Sequence, residues 1–190
     1  MNIVKFKKGK DIIEEGTLGD CAYIIEEGSV EVSKLSPYGE KQVLGVLEKS
    51  EIFGEMGLID GLPRSATVTA LEDCVMSVCS QETFNNLADH NPESLIPIFK
   101  VLVRRLRSTL ALVEDLQKEN DIFGELGLID GLPRSATVTS LDNCTIKVLT
   151  RQSFNSLAST NPKALMPIFK VLASRLRSTL KQVSCTLNHA

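Results

Sequence analysis

Tryptophan is absent from this 190-residue chain, and aromatic residues make up only 5% of it. A core has to be assembled mainly from aliphatic side chains. Long apolar runs are also lacking. None approaches the roughly 18–20 residues that a membrane-spanning helix needs. The opening residues Met1-Asn2-Ile3-Val4-Lys5 do not follow the basic-then-apolar pattern of a secretory signal. A cytoplasmic location without membrane contact is therefore expected. Charge of one sign is lacking too. The net charge of −3 creates no field that would draw the chain onto nucleic acid or an acidic membrane. The five cysteines are odd in number and form no Cys-x-x-Cys pair, which argues against a zinc site or a disulfide framework. Buried, reduced thiols are expected instead. No nucleophile motif, catalytic carboxylate pair or metal-ligand spacing is present, and His90 and His189 have no partners nearby in sequence. The expectation is a non-enzyme without metal or cofactor.

What is present is a repeat. Hydrophobic residues at 43% and charged residues at 24% indicate a globular chain. The run Glu51-Ile-Phe-Gly-Glu-Met-Gly-Leu-Ile-Asp-Gly-Leu-Pro-Arg-Ser-Ala-Thr-Val68 recurs as Asp121-Ile-Phe-Gly-Glu-Leu-Gly-Leu-Ile-Asp-Gly-Leu-Pro-Arg-Ser-Ala-Thr-Val138. The register continues without a gap: Asn91-Pro92 matches Asn161-Pro162, and Arg105-Leu-Arg-Ser-Thr-Leu110 matches Arg175-Leu-Arg-Ser-Thr-Leu180. About two-thirds of the positions agree, but residues 1–50 have no second copy. This divides the chain into residues 1–118, a full unit, and 119–190, a truncated one.

The unrepeated part reads as short strands. Ala22-Tyr23-Ile24-Ile25 leads to the turn Glu27-Gly28, after which Val30 and Val32 alternate with polar residues. Pro37-Tyr38-Gly39 is a second turn before the run 42–47. Residues 65–70 and 74–79 read as two further strands, with counterparts in the second unit. Each unit ends in a helix. Leu95, Phe99, Leu102, Leu106 and Leu110 fall at spacings of three and four, as do Leu165, Phe169, Leu172, Leu176 and Leu180. Asn91 before Pro92 reads as a helix N-cap followed by proline at the first helical position. Arg104, Arg105 and Arg107 read as a solvated helix face. The pattern predicts a mainly β fold with helices, an antiparallel β-roll of jelly-roll type with flanking helices plus a truncated repeat.

The chemistry lies in residues 53–66. Gly54 permits close approach of a ligand to the backbone. Glu55 to Ile59 reads as a short helix whose leading N–H groups suit an anion. Gly61 and Pro63 end it, and Arg64 then offers a planar fork of donors for phosphate oxygens, with the Ser65 hydroxyl beside it. An acidic residue within such a site fits a singly charged phosphodiester next to a sugar, because Glu55 can accept from a ribose hydroxyl.

These residues resemble the phosphate-binding cassette of the cyclic nucleotide-binding domain family, which includes the bacterial catabolite activator protein and the regulatory subunits of cAMP-dependent protein kinase. Gly19-Asp20, Tyr23-Ile24-Ile25, Gly28, Val30 and Val32 resemble that family's earlier glycine-punctuated strands. Ser50 and Asn120 stand where members often carry glycine. The resemblance implies that Glu55 holds the ribose 2′-hydroxyl, that Arg64 and Ser65 bind the cyclic phosphate, and that Gly54 and Ala66 contribute by backbone approach. Gly124, Glu125, Arg134, Ser135 and Ala136 form a second candidate set, without upstream strands of its own. The implied ligand is cAMP, with cGMP as the alternative. The implied role is a sensor or regulatory module whose long helix closes over the base and serves homo-oligomerisation or an effector protein. Bacterial regulators of this type carry a helix-turn-helix after the long helix. This sequence runs into the second cassette instead, so binding of nucleic acid is not implied. A scaffold that keeps the fold without the ligand is the competing reading.

Overall fold

The computed structural model describes residues 2–36, 38–110, 122–140 and 142–186. The first unit carries strands β1 (Asn2–Phe6), β2 (Asp11–Ile13), β3 (Cys21–Glu27), β4 (Val30–Leu35), β5 (Lys41–Leu47), β6 (Ile52–Phe53), β7 (Thr67–Ala70) and β8 (Cys74–Ser80). They form two antiparallel four-stranded sheets, ordered β1-β8-β3-β6 and β2-β7-β4-β5. Apart from β4 with β5, the paired strands are not consecutive in the chain, as a roll requires. Ile25, Val30, Phe53, Val68, Cys74 and Met76 fill the core between the sheets. Each comes from the inward face of its strand, so the alternation visible in the sequence is the alternation that buries it.

The chain leaves β6 through α1 (Glu55–Asp60) and leaves β8 through α2 (Gln81–His90). The Ser80 hydroxyl accepts from the Thr83 N–H at 3.1 Å and caps α2. Asn91 closes α2 at its C-terminal end, and Pro92 opens a 3-10 turn, Pro92–Leu95. The expected N-cap at Asn91 is therefore displaced: the long helix α3 (Ile96–Leu110) starts after that turn, with Pro97 in its first turn where a missing N–H costs nothing.

The second unit repeats the helices but not the strands. α4 (Glu125–Asp130), α5 (Arg151–Thr160), a 3-10 turn (Pro162–Leu165) and α6 (Met166–Thr186) reproduce their counterparts. Residues 135–140 and 144–149, expected to form two strands, carry none. The reason is physical. In the first unit β7 and β8 are held by β2 and β4 and by β1 and β3, and the described residues of the second unit contain no equivalents. A strand without a partner leaves its backbone to water, and here Val138, Ile146 and Val148 are exposed at 50%, 59% and 82%.

The two units share one helical core. α3 and α6 pack together through Leu102, Leu106, Leu172 and Leu176, all buried, and the rings of Phe99 and Phe169 stack with planes 2° apart. The apolar face of α3 is thus covered by the second unit of the same chain.

Candidate nucleotide site

The cassette is positioned by β6 and the αL turn that follows it. Tyr23 lies opposite Phe53 in the sheet, and their rings stack at 5.3 Å. Burial, with the Cys21 thiol against its hydroxyl, pushes the Tyr23 phenol up to about 12. Gly54 follows at φ 81° and starts α1 without a side-chain cap. A Cβ at Gly54 would meet the Arg64 guanidinium at 2.7 Å, so glycine is required by both backbone and space. Ser50, just upstream, is the sole non-glycine residue with positive φ among the described residues, at 71°. It adopts the conformation a glycine would take.

Arg64 is the centre of the site. It is only 7% exposed. Its guanidinium donates to the Gly54 carbonyl and to the Cys21 carbonyl, both at 2.7 Å. It lies so close over Gly19 that a Cβ there would sit 2.1 Å from its Nε and NH2. Among the described residues no carboxylate lies within ion-pair distance of it. A buried cation held only by neutral acceptors, these two carbonyls and the Cys21 sulfur at 3.8 Å, lacks its counter-charge. Its remaining N–H groups are unspent, in a cleft of about 220 Å³ lined also by Gly54, Glu55, Ser65 and Ala66.

Glu55 is 1% exposed and forms an ion pair with Arg105 of α3 at 2.7 Å. Arg105 also donates to the Ile52 carbonyl at 2.5 Å. The Ser65 carbonyl accepts from Lys34 at 3.2 Å, and the Ser65 hydroxyl has only a long contact to the Met56 sulfur at 3.9 Å. Ala66 is buried beside them. The structure thus brings together all five residues of the first candidate set.

The arginines of α3 are not the solvated face expected of them. Only Arg104, 66% exposed and paired with Glu51, fits that description. Arg105 holds Glu55, and Arg107 holds Asp130 of the second unit at 2.6 Å. Their partners lie far away in sequence, which is why local patterning missed them. A signal was present in the repeat: Arg105 and Arg107 recur as Arg175 and Arg177, whereas Arg104 is replaced by Ser174.

The second candidate set keeps the local turn and loses the pocket. Gly124 has φ 76°, Glu125 is 4% exposed, and Arg175 pairs with it at 2.6 Å. Arg134 donates to the Gly124 carbonyl. It has no strand behind it corresponding to Cys21, however, and Arg134, Ser135 and Ala136 all lie exposed.

The profile of the cyclic nucleotide-binding domain matches residues 3–91 and 101–161, so the chain belongs to that family. It is similar to the cAMP-activated global transcriptional regulator CRP of Salmonella typhimurium, 28% identical over 90% of this chain and 82% of that protein. It is also similar to the CRP-like cAMP-activated global transcriptional regulator of Mycobacterium tuberculosis, 30% identical over 60% of this chain. The chain spans half the length of that relative. Among solved structures, the N-terminal domain of a transcriptional regulator from Streptomyces coelicolor A3(2) is 32% identical, with 62% of this chain and 81% of that one covered at a TM-score of 0.49. The relatives are regulators by name. Among the described residues no helix is long and apolar enough to cross a membrane.

Proposed function

We propose that residues 1–118 bind one cyclic nucleotide, cAMP rather than cGMP, and act as a regulatory module rather than an enzyme. The observation that carries this reading is the buried Arg64 guanidinium without a carboxylate partner. A cyclic phosphodiester supplies a single negative charge, which neutralises Arg64 without overloading a site that also contains Glu55. The uncapped N–H groups of α1 and the Ser65 hydroxyl add donors to the same oxygens. Glu55 accepts from the ribose 2′-hydroxyl. The choice of cAMP rests on the relatives, which are cAMP-activated by name.

The signal arises at Glu55. Arg105 already occupies one of its oxygens, so an incoming ribose hydroxyl competes with α3 for the same carboxylate. Ligand binding thereby alters the tie between cassette and α3 and repositions the helix.

Thermal unfolding with cAMP and with cGMP tests the reading. Ligand at a hundred times its dissociation constant adds about 2.7 kcal/mol, which raises the melting temperature of a chain this size by about 5–10 °C. A single observation favours the competing reading of a ligand-free scaffold: Glu55 is satisfied by Arg105 without any ligand. Absence of any shift at millimolar cyclic nucleotide would establish the scaffold.

A further inference from the structure

The second unit repeats the cassette but lacks a roll to complete it, and its retained residues are used for something else. Asp60 and the Pro63 carbonyl, which close the first cassette, receive Arg177 of α6: Nε and NH2 reach the two Asp60 oxygens at 2.6 and 2.9 Å, and NH1 reaches the carbonyl at 2.5 Å. Asp130 and the Pro133 carbonyl receive Arg107 of α3 in the same way, at 2.6, 3.1 and 3.0 Å. Both Asp60 and Asp130 are largely buried beneath these contacts, with side chains 8% and 14% exposed. The same four-residue turn, Asp-Gly-Leu-Pro, therefore works twice as a socket for an arginine from the other unit's long helix. This clamp seats α6 so that Leu176, Arg177 and Leu180 line the cleft that holds Arg64 and Glu55.

We propose that the truncated repeat is an in-chain partner subunit. Its cassette is a docking socket rather than a second sensor, and its helix α6 forms one wall of the first unit's nucleotide cleft. The socket stands on geometry alone; the role of α6 at the cleft rests on the nucleotide-binding reading above. The chain is then a monomer in which residues about 120 positions downstream of the cassette set its affinity for nucleotide.

A double-mutant cycle on nucleotide-free protein tests the socket. Asp60→Asn keeps the turn's own hydrogen bond to the Leu62 N–H while removing the charge. Asp60→Asn and Arg177→Gln should each lower the melting temperature by about 5 °C. Adding Asp60→Asn to Arg177→Gln should cost little more, because paired groups are not additive. Full additivity, or no effect of either change, would overturn the socket. The wall is read by cAMP titration of Leu180→Ala, a half-buried position that lines the cleft and packs against the edge of the helical core. An affinity loss of about threefold to tenfold supports it, and unchanged affinity overturns it. Sedimentation should show a monomer, whereas a stable dimer would place the sockets between chains and overturn the in-chain assignment. If the unmodified chain bound no cyclic nucleotide, the functional reading and the wall would fall together, while the nucleotide-free cycle would still decide the socket.

Discussion

Replacing Arg64 with methionine separates a binding role from a structural one. The substitution keeps most of the aliphatic stem and removes the guanidinium. Two effects on the unliganded fold oppose each other. The Gly54 and Cys21 carbonyls each lose a donor, and an unsatisfied buried group costs about 1–3 kcal/mol. At the same time a 7%-exposed cation without a carboxylate partner is removed, and the cost of holding such a charge out of water is several kcal/mol. The two nearly cancel, so stability without ligand should change by no more than about 1 kcal/mol, or about 2–4 °C in melting temperature. Binding has no such compensation. Two charge-assisted hydrogen bonds to the phosphate, at about 1.5–3 kcal/mol each, correspond to about a hundredfold to ten-thousandfold loss of affinity for cAMP. Calorimetry for affinity and differential scanning for stability read the two effects separately. A variant that melted far below the unmodified protein yet bound cAMP equally well would refute the reasoning, because Arg64 would then be a structural strut.

Arg105→Gln strands the Glu55 carboxylate at 1% exposure, so the nucleotide-free protein should lose about 3 kcal/mol or more, measurable by chemical denaturation. Gly19→Ala places a Cβ 2.1 Å from the Arg64 guanidinium, so the arginine must move and cAMP affinity should fall at least tenfold while the fold survives, as seen by titration alongside far-ultraviolet dichroism. Ser50→Gly relieves a left-handed serine and should stabilise the protein by about 1 kcal/mol in denaturant unfolding. Burial alone would raise the pKa of Asp130, but the hydrogen bond and charge of Arg107 together with the Leu132 N–H outweigh it and hold the carboxyl below its ordinary value of 3.8. The stabilisation from this pair is therefore complete above that value and disappears as pH falls through the lower folded-state value. A melting temperature followed down to pH 2 should show this loss, and Asp130→Asn should flatten it.

The strands of the roll were legible wherever alternation and glycine turns marked them: β3, β4, β5, β7 and β8 lie at the segments read from apolar periodicity. β1 and β2 were not. β1 is largely exposed and β2 is three residues long, so neither offers an apolar pattern. The strands expected of the second unit failed because a strand is a property of its neighbours. Val68 and Val138 stand in nearly identical local sequence, yet one is 4% exposed and the other 50%. The candidate site was legible as far as the cassette itself, since its spacing is local. Its surroundings were not. The carbonyls that hold Arg64, the Arg105–Glu55 pair and the Arg177–Asp60 socket join residues distant in sequence, and no local pattern encodes them.

Calorimetric titration of the chain with cAMP, read for the number of sites, tests the central claim most directly. One site per chain, retained in Arg134→Ala and abolished in Arg64→Met, is the result predicted for a single complete roll closed by an in-chain partner. Two sites, or binding that survives loss of Arg64 and disappears with Arg134, would contradict it.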